Sequence, residues 1–363
     1  MLRFHEPMKP VEVLREIFYS CCVRHERSSA FNLGKDGLCM STQGIMGVIL
    51  AGGKGSRMYP FSEHYPKAIL PICNKPLMEY QIEMMKAVGI TSIIVVIGHY
   101  GFDVVRVMGN GERYGIKIHY VDQGQTLGIA HALSKLENLI DRPFMLFLGD
   151  IFFITDSLQP MIDEFYDHKV NAVLATKIEQ DINAIKRNFS VLMDEKGFVR
   201  RVIEKPRHPV NNLKGCGLYL FDLHIFDAVR RTPRTASRDE YEITDSIQIL
   251  IDDGFTVKSK TIIQEDLNLT YPEDLLYINL TELRRQNLPK LIGHNTSIDP
   301  AQVDNSVIGD EVFCPPGIRI RNSVVFSSST ITTGADLENA IVTPDKLIYC
   351  YKSLPEDYNN DQS

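Results

Sequence analysis

From Met46 onward, short apolar runs alternate with stretches whose apolar residues recur every three or four positions. The runs GVILA (47–51), TSIIVVIG (91–98), GIKIHYV (115–121) and PFMLFLGD (143–150) read as buried strands. Between them, PLMEYQIEMMKAVG (76–89), a shorter stretch near Phe102 to Met108, and GIAHALSKLENLI (128–140) carry helical spacing. This alternation predicts an α/β fold with a Rossmann-like, mixed but mostly parallel sheet covered by helices. Ligands of such sheets sit outside the carboxyl ends of the strands, and both LAGGKGSR (50–57) and FLGD (147–150) fall at such ends.

The pattern changes at about Leu291. From there to Ile348 apolar residues recur at six-residue steps: Ile292 and Ile298, then Val312, Ile318 and Val324, with Thr330 in phase. A six-residue period predicts a β-helix of about three coils with one irregular step. So short a stack cannot bury its own ends, so it is expected to pack on the first domain or on a second subunit. Residues 1–45 form an N-terminal extension in which Val11, Leu14, Ile17, Phe18 and Cys21 could line one face of a helix, an accessory or partner-binding arm; a start codon read upstream of Met40 or Met46 is the other reading. The expected division is extension 1–45, α/β domain 46–288, β-helix 289–348 and a mobile polar tail 349–363.

Composition narrows the function. At 363 residues, 44% hydrophobic and 23% charged, the chain has material for two globular domains. A formal net charge of -7 argues against nucleic acid or an acidic membrane as partner, so local cation clusters must do any phosphate work. The seven cysteines form no C-x-x-C pair, which leaves a structural zinc site without support and reduced buried thiols as the expectation. The N-terminus has no apolar run long enough for a signal peptide or membrane span, and a cytoplasmic location is expected.

The glycine loop LAGGKGSR strips away side chains so that backbone N–H groups can approach an anion, then adds cations to neutralise it. Two familiar templates fail on it. A P-loop needs lysine six residues after its first glycine, where Gly47 and Gly52 meet Gly53 and Met58. A dinucleotide fingerprint needs a third glycine where Met58 stands, and an acidic residue about twenty positions on, where Cys73 and Asn74 stand.

What remains is A-G-G-x-G-[ST]-R followed by PKAILP (66–71). This composite resembles the sugar-1-phosphate nucleotidyltransferases, most closely glucose-1-phosphate thymidylyltransferases and mannose-1-phosphate guanylyltransferases. The resemblance covers about Met46 to Leu283, implies a sheet of the GT-A-like type, and extends to the tail, which looks like the left-handed β-helix of the longer members. It implies a reaction in which a sugar 1-phosphate attacks the α-phosphorus of a nucleoside triphosphate and pyrophosphate leaves, with Mg²⁺ as cofactor and no covalent enzyme intermediate. Such catalysis is mostly alignment and charge neutralisation.

By that resemblance Leu50, Ala51, Gly52, Gly53 and Gly55 cradle the nucleotide, while Arg57 and Lys67 grip its triphosphate. Asp150 ends a buried strand, where a charge must be paired, cap a helix or ligate a cation; the resemblance makes it the Mg²⁺ ligand. Members commonly carry W-x-D-x-G for a second ligand, whereas this chain has no tryptophan and reads QEDLNLTYPEDLL there. Asp266 aligns with the ligand, Asn268 competes with it, and Thr270 with Pro272 to Asp274 looks like a capped helix start. Gln123 in VDQGQTLG, with Gly128, stands where the family reads the base; an amide that donates and accepts matches thymine or uracil, whereas a carboxylate suits guanine. Glu204 and Lys205 of VIEKP suit sugar hydroxyls and phosphate, Gly217 lets the sugar approach the backbone, and Ser190 replaces a usual tyrosine-glycine pair. The segment Asp239 to Asp245 is expected to be mainly structural, with Glu242 near the pocket. The expected substrates are dTTP or UTP and a hexose 1-phosphate; GTP with mannose 1-phosphate or a cyclitol phosphate is the alternative, and a non-catalytic regulatory subunit the alternative of another class. A homo-oligomer is plausible from the β-helix.

Overall fold

The computed structural model describes residues 44–236 and 239–350. The expected N-terminal helix and residues 351–363 lie outside the described residues.

The first run becomes β1 (Met46–Leu50), whose three middle residues are buried. After a long loop, α1 (Leu77–Ala87) buries Leu77, Met78, Gln81, Ile82 and Met85 along one stripe, and glycine at 89 with φ +80 follows its end. Then come β2 (Ser92–Ile97), α2 (Gly101–Met108), β3 (Lys117–Asp122), the short α3 (Ile129–Ser134) and β4 (Phe144–Leu148). β1 pairs in parallel with β2 on one side and β4 on the other, and β2 with β3. Because the chain leaves β1 in one direction and returns on the other side, the crevice at the carboxyl end of β1 is the topological switch point of the sheet.

The second half supplies β5 (Ile151–Ile154), α4 (Gln159–Asp167), β6 (Ala172–Ile178), α5 (Ile182–Arg187), β7 (Phe189–Met193), β8 (Val199–Glu204) and β9 (Leu213–Phe221). It continues through α6 (Ile225–Arg231), α7 (Ile243–Asp252), β10 (Val257–Thr261), β11 (Glu265–Asn268) and α8 (Pro272–Arg285). Among the described residues the main sheet runs β8-β7-β9-β4-β1-β2-β3, with β6 also on β9 and β10 on β6. β9 is antiparallel to β4, β6 and β7, so the sheet is mixed. β11 pairs antiparallel with β5 in a separate ribbon beside the cleft. The α8 start is capped as expected, one residue late: Tyr271 is the N-cap, and Asp274 accepts from the Thr270 and Tyr271 amides. No helix among the described residues is long and apolar enough to cross a membrane.

Beyond α8, short strands stack in parallel: Leu291 and Ile292 on Val307 and Ile308, these on Val324 and Val325, and these on Ile341 and Val342. The coil is therefore a stack of parallel strands, but its repeat is 17 residues, as the rungs Asn305–Asn322, Ser306–Ser323 and Ser323–Ala340 show. Seventeen is one short of three six-residue steps, so a strict six-residue phase drifts. Thr330 is exposed and its neighbour Ile331 is buried. Val324 faces outward with Val307 and Ile341, while Ile308, Val325 and Val342 fill the coil interior. The outward row packs against Leu276, Leu280 and Leu283 of α8 and against Met58 and Phe61, so the coil buries itself on the α/β part of its own chain. The ordered coil also extends past 348: Leu347–Tyr349 pairs antiparallel with Ala340–Val342, and Cys350 is buried with its amide on Asn339. Residues 349 and 350, expected in the mobile tail, are thus part of the coil. Cys73, Cys216, Cys314 and Cys350 are free and buried, as expected for reduced thiols.

Candidate active site

A cleft of about 1570 Å³ opens at the carboxyl end of β1. It is lined by Leu50, Ala51, Gly52, Gly53, Gly55, Arg57, Lys67, Gln123, Gly128, Asp150, Glu204, Lys205, Gly217, Glu242, Asp266 and Asn268. Those residues lie as far apart in sequence as Leu50 and Asn268. Ser190 is the exception: it is buried within β7, its hydroxyl oxygen has no partner, and the cleft reaches its neighbours Asn188 and Phe189 instead. Ser190 pairs directly with Lys214 across the ladder, so it lies beneath the wall of the cleft rather than on its surface.

At the nucleotide end, Gln123 donates from Nε2 to the Gly52 carbonyl (2.8 Å) and to Thr126 Oγ1 (3.1 Å). A Cβ on residue 52 would lie 2.4 Å from that nitrogen, so only glycine lets the amide close on the loop. Both N–H groups of Gln123 are thereby committed to the protein. The expected donor-plus-acceptor match to a pyrimidine is reduced to the oxygen, an acceptor that serves N3–H of thymine or uracil and N1–H of guanine alike. Opposite, Gly128 adopts φ +105 and a Cβ there would meet the Tyr241 carbonyl at 2.5 Å. The Tyr241 amide donates to Leu127 and its carbonyl accepts from Ala130, so the 239–245 segment walls this end, a structural role as expected.

At the centre, Lys67 Nζ donates to Asp150 Oδ2 at 2.9 Å, with the Asp150 side chain 43% exposed to the cleft. The turn carrying Asp150 is held from beneath. Gln81, fully buried on α1, donates from Nε2 to the carbonyls of Leu148 and Ile151, both at 2.9 Å, while Gly149 donates to Leu50 and Leu269 to Asp150. The sequence reading missed Gln81; its signal is an amide inside an otherwise apolar helix stripe.

At the sugar end, Glu204 accepts from Thr244 Oγ1 (3.2 Å) and lies 3.9 Å from Lys205 Nζ. Lys205 holds φ +42, a conformation side chains rarely adopt, and its amide donates to the Asn188 carbonyl. The floor is a charge network, buried at Lys214 and Asp266, that the sequence did not reveal. Lys214 Nζ bridges Asp266 (2.7 Å) and Glu179 (3.1 Å), and Lys177, directly across the strand pair, bridges Glu179 and Glu265. Burial pushes the Asp266 carboxyl above its ordinary range against the pull of Lys214. Burial alone would depress the Lys214 ammonium, but Asp266 holds it above its ordinary range. Asp266 keeps one buried oxygen, Oδ2, without a partner. Among the described residues no three carboxylate, imidazole or thiol groups gather into a closed metal cage. A cation that takes one or two carboxylates and fills its remaining positions with water and substrate phosphate fits this donor set: Asp150 at the cleft surface and the orphaned Asp266 oxygen.

A nucleotidyl transferase family model matches residues 46–263. The chain belongs to the nucleotidyl transferase family. A second model, for a GlmU-like C-terminal hexapeptide region, matches residues 278–363. This nucleotidyl transferase is 34% identical over 265 residues to the low-salt glycan biosynthesis nucleotidyltransferase of Haloferax volcanii, covering 72% of each chain. It is 32% identical over 314 residues to a glucose-1-phosphate thymidylyltransferase of Streptomyces griseus, covering 85% of this chain and 82% of that one. A UDP-glucose pyrophosphorylase solved with UDP-glucose superposes with TM-score 0.60 over 66% of this chain and 99% of its own; at 22% identity this speaks for the fold.

Proposed function

We propose that this nucleotidyl transferase joins a nucleoside triphosphate, dTTP or UTP, to a hexose 1-phosphate and releases pyrophosphate. The observation that carries the reading is the Lys67–Asp150 pair at the centre of one cleft with the glycine loop at one end and Glu204–Lys205 at the other. Its volume, about 1570 Å³, exceeds the roughly 300–1,000 Å³ of a one-ligand pocket, as two substrates held side by side require. The names of the Streptomyces and Haloferax relatives support the same reaction class.

In this reading the amides of residues 52–55 with Arg57 and Lys67 hold the triphosphate, and Gln123 Oε1 accepts from the base. Glu204 orients sugar hydroxyls and Lys205 the phosphate. A phosphate oxygen of the sugar 1-phosphate forms the new bond to the α-phosphorus as the bond to pyrophosphate breaks on the opposite side. Asp150 and Asp266 would hold Mg²⁺, which supplies neutralisation of the crowded phosphates. Lys67, bonded to Asp150, keeps a fixed cation beside the α-phosphate without solvent reorganisation.

The test is pyrophosphate release with Mg²⁺ and each of dTTP, UTP, GTP, CTP and ATP against a panel of sugar 1-phosphates. Turnover with dTTP or UTP and a hexose 1-phosphate is expected, and Asp150→Asn should lower it by about 10²-fold or more. Silence across the panel with nucleotide-sugar binding retained in calorimetry would replace this reading by a regulatory subunit.

A further inference from the structure

The segment from Gly55 to Leu70 carries both Arg57 and Lys67, yet it contains only three single-turn 3₁₀ helices. Its backbone hydrogen bonds close on itself, from Met58 to Gly55, Tyr65 to Phe61 and Leu70 to Lys67. Nothing in the main sheet therefore fixes its middle. The ring and charge contacts of that middle come from the coil. The Phe326 ring stacks on Phe61 at 5.9 Å and meets Tyr65 edge-on at 5.5 Å, and Lys346 Nζ bonds Glu63 at 2.7 Å while lying 5.3 Å over the Tyr59 ring. Phe61 and Phe326 are both buried in the cluster that includes Met58, Val324 and Ile341. The gap left between loop and coil is about 10 Å³, at most one water.

We propose that the coil is a positioning element for the phosphate-binding loop, and that Phe326 is the residue through which it sets the placement of Arg57 and Lys67. The inference rests on the proposed role of those two cations for its kinetic consequence, but not for its structural one. A stretch whose middle has backbone bonds only to itself takes its shape there from its side-chain anchors. Here those anchors are Met58 and Leu70 in the shared apolar cluster, Lys67 on Asp150, and the aromatic group under Phe326 in the middle. The distance from the coil to the chemistry is bridged by a run of only a few residues, so a loosened ring stack displaces Arg57 directly. If the coil merely covered apolar surface, any equal loss of coil stability would have the same effect on the loop.

The experiment compares Phe326→Ala with Ile320→Ala, a truncation inside the coil and away from the loop. Hydrogen exchange of the full chain without ligand reads the loop directly. Amides of residues 57–67 are expected to exchange about tenfold faster in Phe326→Ala, the change that losing two aromatic pairs produces, with β1 unchanged and Ile320→Ala like the native chain. Steady-state kinetics, with whichever of dTTP or UTP turns over, should show a KM for nucleotide raised by about the same factor and the sugar phosphate KM unchanged. Unchanged exchange at 57–67 in Phe326→Ala, or an equal rise in Ile320→Ala, would overturn the proposal. If Phe326→Ala does not fold, Phe326→Leu removes the ring pairs at nearly constant volume and is read the same way. Absence of turnover in the native chain would sink the proposed reaction and leave the exchange result to decide this one.

Discussion

At the scale of single residues, Gln81 is the least expected participant. It does not itself line the cleft, yet its amide nitrogen holds the two carbonyls that flank Gly149 and Asp150. Gln81→Met keeps the volume and removes both donors, leaving two buried carbonyls unpaired. The expected outcome is a loss of about 1–3 kcal/mol in denaturant unfolding together with a fall in kcat, because Asp150 loses its fixed turn. A variant that melts earlier but turns over normally would show that the turn holds itself. Gly128→Ala is a second test. Its Cβ would press on the Tyr241 carbonyl at a strained φ, so both stability and nucleotide KM should suffer, whereas Gly53→Ala, with open space around it, should leave stability unchanged.

Among elements, α4 is tied to the sheet electrostatically. Glu164 accepts from Lys258 (2.7 Å) and Lys260 (2.8 Å), neighbours on one face of β10. Burial raises its carboxyl pKa, but these two lysines outweigh that and hold it below its ordinary value of 4.5. A depressed carboxyl stabilises the fold above the unfolded pKa and stops doing so as pH falls through the folded one. Glu164→Gln should therefore be less stable than the native chain near neutrality, with the gap in unfolding free energy closing as pH drops below about 4.5. A gap that stays constant from pH 7 to pH 4 would assign the effect to packing instead.

In the whole molecule, the outward face of the coil, α8 and the base of the phosphate loop form one hydrophobic cluster. That shared core predicts one calorimetric transition for coil and α/β part together. Val324→Asp, which places a charge in the shared layer, should lower that single transition by several degrees. Two separate transitions in the native chain would mean that the coil folds on its own.

What the sequence determined by itself was whatever lies close together along the chain: the strand and helix alternation, the glycine loop with PKAILP, Asp150 at a strand end and the Glu204–Lys205 pair. Each follows from local periodicity or from the chemistry of adjacent residues. The coil was legible as a repeat but not in its phase, although VDNSVI, IRNSVV and LENAIV at 303, 320 and 337 spell out the 17-residue spacing. Only the tertiary structure decided which partner each group has: Gln81 under the Asp150 turn, Lys214 against Asp266, Gln123 closed on Gly52, Ser190 buried behind the cleft wall, and Phe326 over the phosphate loop. The reason is physical. Those contacts join residues far apart in sequence, and their geometry is set by the path of the whole chain through one packed interior, which no local pattern encodes.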